Sequence, residues 1–107
     1  MTDETEIRLV YITMPDAASA TILAHALVKE RLVACVNILP GAISVYAWQG
    51  EVTESPETIM IAKTIRAHLG AVTDFVRTRH PYECPAILVL PATATVAFAD
   101  WVKSAVL

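Results

Sequence analysis

Apolar residues fall along this chain in two rhythms. Residues 7–13, IRLVYIT, form a short β-branched and apolar run that reads as a buried strand. Met14-Pro15-Asp16 ends it, and the Asp16 carboxylate can cap a following helix by accepting from its exposed N–H groups. Over 17–31 the rhythm changes. Ala20, Leu23, Ala24 and Leu27 recur at helical spacing, with Lys29 and Arg31 near the C-terminal end, where the helix dipole favours cations. Two long apolar, β-rich stretches follow, 34–48 and 51–65, joined at Gln49-Gly50 as in a hairpin. Pro40-Gly41 interrupts the first stretch and Pro56 the second, so both strands are expected to bend midway. Helical spacing returns over 66–80, with Leu69, Val72 and Val76 on one face and Phe75 beside it. Pro81 and Pro85 stop that helix. Residues 86–93 read as a last strand, and 95–106 as a short amphipathic helix carrying Phe98 and Trp101.

The order β-α-β-β-α-β-α predicts an α+β fold in one domain spanning residues 1–107, with residues 1–6 flexible. Two β-α-β units joined by a hairpin give the ferredoxin-like βαββαβ sandwich, with both main helices on one face of an antiparallel sheet and an extra C-terminal helix. The hairpin does not match the rest. Its strands are roughly twice the usual ~5–6 residues, whereas the outer strands are close to that length. The overhang has no partner in its own sheet, and an unpaired apolar edge needs a cover. The same overhang of a neighbouring subunit is the simplest one. Composition agrees: 55% of the residues are apolar and only 18% charged, against a usual ~45–50% and ~25%. A small domain cannot bury so large an apolar share alone.

The net charge of −3 argues against a nucleic-acid binder working by bulk charge. No apolar run is long enough for a membrane helix, and the acidic start MTDETEIR carries no secretory signal. A cytoplasmic protein is expected. Cys35 and Cys84 form no disulfide framework and read as free thiols, Cys35 packed within a strand and Cys84 in a turn. Three glycines leave almost no room for a phosphate-cradling loop. No triad ordering or paired-carboxylate spacing argues for an enzyme.

The chemistry concentrates in RHPYECP, residues 79–85. His80, Glu83 and Cys84 offer imidazole, carboxylate and thiolate, a set suited to copper and other borderline divalent metals. Three ligands within five residues rarely fill a coordination shell unaided, so a second segment or subunit would have to contribute. The structural alternative is that His80 closes the helix end and Tyr82 packs at an interface. His25 and His68 read as solvated helix residues, and Trp101 as a core or interface anchor.

Taken in order, ACVNILPGAISVYAWQG, AKT and RHPYECPAILVLP resemble the CutA family of divalent-cation-tolerance proteins. The resemblance runs from about Leu9 to Val102. It implies a ferredoxin-like subunit, a homotrimer built by inter-subunit strand pairing, copper or other divalent-metal binding, a part in the response to metal ions, and no enzyme activity. It also implies that Tyr46, Trp48, Lys63 and Tyr82 gather with His80 and Glu83 near an inter-subunit cleft, where a small anionic ligand could be held. Where some members carry a further cysteine, this chain has Ile12. Two functions stay open: a metal-binding tolerance protein, or a trimeric small-ligand sensor or scaffold like the PII-type signalling proteins, the latter by analogy of fold.

Overall fold

The computed structural model describes residues 4–107. Four strands and three helices follow one another as β1 (Glu6–Met14), α1 (Ala17–Lys29), β2 (Cys35–Trp48), β3 (Glu51–Thr64), α2 (Leu69–Arg79), β4 (Ile87–Thr93) and α3 (Val96–Ala105). The four strands pair antiparallel in the order β2-β3-β1-β4, the ferredoxin-like arrangement expected. The segment expected as one helix from 66 begins instead with a 3₁₀ turn, Arg66–His68, before α2. Of the N-terminal segment expected to be flexible, residues 1–3 lie outside the described residues. The rest of it is anchored: the Ala94 N–H donates to Thr5 O at 2.9 Å, and Glu6 opens β1.

Local chemistry fixes the ends of the elements. The Ser19 N–H donates to Asp16 Oδ1 at 2.7 Å, which caps α1 as its sequence implied. These hydrogen bonds from Ser19 hold the Asp16 carboxyl below its usual range. At its other end α1 closes with Leu32 N donating to Leu27 O and Arg31 N to Val28 O. This closure puts Arg31 at a left-handed φ of 57°, where glycine is usual. The Arg31 guanidinium repays the strain by donating to Ala105 O at 3.2 Å and Ser104 O at 3.4 Å, so one residue closes α1 and holds the end of α3. In the hairpin, Gln49 and Gly50 take φ of 50° and 82°, the two positive angles of the tight turn that matches strand twist.

Alternation decides which face of the sheet is buried. Val10, Ile12, Met14, Met60 and Ala62 point to one face, where Leu23 and Leu27 of α1 and Val72 and Val76 of α2 cover them. Ile7 lies on the other face, and there α3 packs through Ala99 and Val102 at one end of the sheet only. Thr64 is a fully buried polar side chain, satisfied by donating to Leu32 O at 2.7 Å.

The hairpin outruns this body. β1 pairs with β3 only from Thr58 to Thr64, so residues 51–57 of β3 pair with β2 alone. The register shifts between Leu39 and Ala42, which sets Pro40 and Gly41 in a bulge, with Gly41 at φ 87°. Past it a two-stranded ribbon projects, and the molecule measures 47 × 26 × 23 Å.

Candidate functional site

The ribbon presents two unlike faces. Ile43, Val45 and Val52 point to the side on which α1 and α2 cover the body, yet they lie beyond the helices and are 69%, 63% and 80% exposed. On the opposite face stand Tyr46, Trp48, Ser55 and Glu57. The connector between α2 and β4 turns back along this second face, framed by Pro81 and Pro85. Between ribbon and connector opens a cleft of about 810 Å³, lined by Thr13, Tyr46, Trp48, Ser55, Glu57, Tyr82, Glu83, Cys84 and Ala86.

His80 holds the connector in place. It occupies the C-terminal cap of α2. Its Nδ1 accepts from the Tyr82 N–H at 3.1 Å, so Nε2 carries the proton and donates to Thr13 O at 2.7 Å. The imidazole also lies 4.9 Å from the Tyr82 ring, centroid to centroid. Both ring nitrogens are therefore engaged, and a metal at either would displace one of these bonds. Glu83 and Cys84 line the cleft, but His80 does not join them there. Among the described residues no group of three or more His, Cys, Asp or Glu side chains stands close enough to hold a metal ion. One subunit thus does not assemble the coordination set expected from His80, Glu83 and Cys84.

The phenols are tied to β3 from both sides. Tyr82 OH donates to Glu57 Oε2 at 3.0 Å, and Ser55 Oγ donates to Tyr46 OH at 3.2 Å. Desolvation, reinforced by the Glu57 carboxylate, raises the Tyr82 pKa above the ordinary phenol value. Glu57 is the residue that sequence reasoning passed over. It faces the cleft because β3 alternates without a break and turns Glu57 away from the face of buried Thr58, while the bulge in β2 brings Tyr46 and Trp48 onto that same face.

Of the expected cleft residues, Tyr46, Trp48, Tyr82 and Glu83 come together and Lys63 does not. Lys63 pairs with Leu9 and Cys35 at the far end of β3, six residues from Glu57, a distance of about 20 Å along a strand. Among the described residues no Lys, Arg or His side chain lines the cleft. Both cysteines are free. Cys84 is exposed, and Cys35 is half-buried on the face away from α1 and α2, less enclosed than expected. His25 is exposed as expected, whereas His68 keeps Nε2 buried without a hydrogen-bond partner. Trp101 is 47% exposed and stacks at 5.7 Å on Phe98.

Residues 8–105 match the family model described as CutA1 divalent ion tolerance protein. The chain belongs to the CutA1 family. The "Divalent-cation tolerance protein CutA" of Thermus thermophilus is 43% identical over 96 residues, 89% of this chain and 93% of that one. The chloroplastic "Protein CutA" of Arabidopsis thaliana is 38% identical over 97 residues, 90% of this chain but 53% of the relative, so the chain spans about half that longer protein. The crystal structure of CutA1 from Oryza sativa superposes with a TM-score of 0.93 at 34% identity, covering 98% of both chains. The CutA1 resemblance carried by the hairpin and the His-Pro-Tyr motif therefore extends to the whole sandwich.

Proposed function

We propose that this chain is a non-catalytic, cytoplasmic homotrimer that binds copper or another divalent cation as part of divalent-cation tolerance. The observation that carries the reading is the charge of the cleft: Glu57 and Glu83 line it with the Cys84 thiol and no basic side chain. Neither carboxylate forms an ion pair among the described residues, where the pairs are Arg8–Glu6 and Arg77–Asp74. Uncompensated carboxylates beside a thiol attract a divalent metal and repel an anion. The small-anion alternative loses its cation within the subunit, because Lys63 stands at the other end of β3. One subunit does not supply a full coordination shell, so the proposed metal is shared with a neighbouring subunit. The exposed Ile43, Val45 and Val52 support association with a neighbour through the ribbon's other face, and free Cys35 and Cys84 accord with a reducing compartment.

The test is calorimetric titration of untagged protein with copper(II) and zinc(II). Glu83→Gln and Cys84→Ser should each weaken binding by about tenfold or more, ~1.4 kcal/mol per decade, with the oligomer intact. His80→Ala should weaken binding less if His80 only positions the connector, and by about the same ~tenfold if it ligates the metal. Unchanged affinity in all three variants would remove metal binding from this cleft.

A further inference from the structure

A divalent ion and its ligands occupy a small part of a cleft of about 810 Å³, a size typical of pockets for organic ligands, ~300–1,000 Å³. We propose that the cleft is also a binding site for a small organic cation of the alkylammonium type, held over the faces of Tyr46, Trp48 and Tyr82 and neutralised by Glu57 and Glu83. The inference goes beyond the metal reading, since it uses ring faces that a metal ion would not need.

Three independent features select this class. The first is aromatic lining. Tyr46, Trp48 and Tyr82 all border the cleft, and an indole or phenol face attracts an ammonium through its quadrupole. The second is charge. Two carboxylates and no cationic side chain border the same space, in a chain of net charge −3. Glu57 uses Oε2 to accept from Tyr82, and Oε1 has no partner among the described residues. An anion is repelled there, and a neutral ligand leaves the carboxylates uncompensated. The third is preparation of the site. Tyr46 is tied by its hydroxyl to Ser55 and Tyr82 to Glu57, two positions apart on one face of β3, and His80 fixes the connector below Tyr82. Rings held by their own hydroxyls lose little freedom when a ligand arrives. Ile43, Val45 and Val52 lie on the opposite face of the ribbon, so a subunit that covers them need not consume the cleft.

The test uses full-length untagged protein, with choline as the probe and 3,3-dimethylbutan-1-ol, its uncharged carbon isostere, as the control. Choline should bind saturably in the millimolar range or tighter, and the isostere at least ~tenfold more weakly. Trp48→Leu and, with nearly unchanged shape, Glu57→Gln should each weaken choline binding several-fold. Circular dichroism and sedimentation should match wild type for both. Equal binding of the isostere, no saturable choline binding, or wild-type affinity in both variants would overturn the inference. Copper(II) and zinc(II) titrations run in parallel keep the two readings apart. Metal binding without choline binding removes only the organic-cation site, and choline binding without metal binding removes only the metal reading.

Discussion

β2 and β3 are the same two strands in two different situations. In the inner half, Thr58, Met60, Ala62 and Thr64 are buried and alternate strictly with half-buried Ile59, Ile61 and Lys63, because β1 lies alongside and α1 and α2 lie on top. In the outer half, residues 42–48 and 51–57 pair only with each other, and no side chain among them is buried. On β2 the positions facing the helix side are apolar in both halves, Val36 and Ile38 in the inner one and Ile43 and Val45 in the outer one. At those positions composition does not separate the halves; topology does. An alternating pattern states that a face wants cover, and only the arrangement of the other elements says whether the same chain supplies it.

The largest effect should come from the inner half. Leu27 is fully buried between α1 and the sheet. Leu27→Ala should cost ~2–5 kcal/mol, since the rigid sheet beneath it cannot close the cavity. Denaturant unfolding at one fixed protein concentration measures this, because the stability of an oligomer varies with concentration. A loss below ~1 kcal/mol would mean that the inner half is no better packed than the ribbon.

The outer half should respond in assembly rather than in subunit folding. Ile43→Asp combined with Val45→Asp puts two charges on the apolar face of the ribbon, where both side chains are mostly exposed in the subunit. On the proposed trimer, sedimentation equilibrium should fall from about three times the 11.6 kDa chain mass towards a single chain. The far-ultraviolet circular dichroism of the helices should persist. A double variant that stays fully associated would place the contact on another surface.

The same contrast explains how far the sequence could be read. The elements were legible because periods of two and 3.6 residues are properties of consecutive positions: the IRLVYIT run, the Ala20–Leu27 stripe, the Asp16 cap and the Gln49-Gly50 turn all emerge as read. The overhang was legible as a mismatch of strand lengths. The site was legible only in part. Within one subunit Tyr46, Trp48, Tyr82 and Glu83 meet, while Lys63 lies at the other end of the strand that carries Glu57, so its place in a cleft between subunits is not decided by one chain's geometry. The face of Glu57 follows from the unbroken alternation of β3, but that Tyr46 and Trp48 share this face depends on the bulge at Pro40-Gly41, which shifts the pairing without altering the apolar pattern. His80 reads as a ligand by residue type. Only three-dimensional geometry reveals that Thr13 O and the Tyr82 N–H occupy both of its nitrogens.

The smallest expected effect tests the seam where the two halves meet. Tyr82 reaches from the connector to Glu57, the last ribbon residue before β3 gains β1 as a neighbour. Burial raises the Tyr82 pKa first, and the hydrogen bond and charge of Glu57 raise it further. The neutral phenol is thus favoured more in the folded chain than in the unfolded one. The stability it contributes is present in full below the unfolded phenol value and is lost as pH rises through the higher folded value. Near neutral pH, Tyr82→Phe should therefore cost little more than one exposed hydrogen bond, ~0.5–1 kcal/mol. At alkaline pH it should remove a phenolate transition from the absorbance titration. Glu57→Gln keeps an acceptor but removes the charge, so the Tyr82 transition should move down without returning to the ordinary value, because desolvation is the larger cause. If Glu57→Gln leaves the transition where it was, the connector is not held against the ribbon in solution, and the cleft between them is wider than its hydrogen bonds imply.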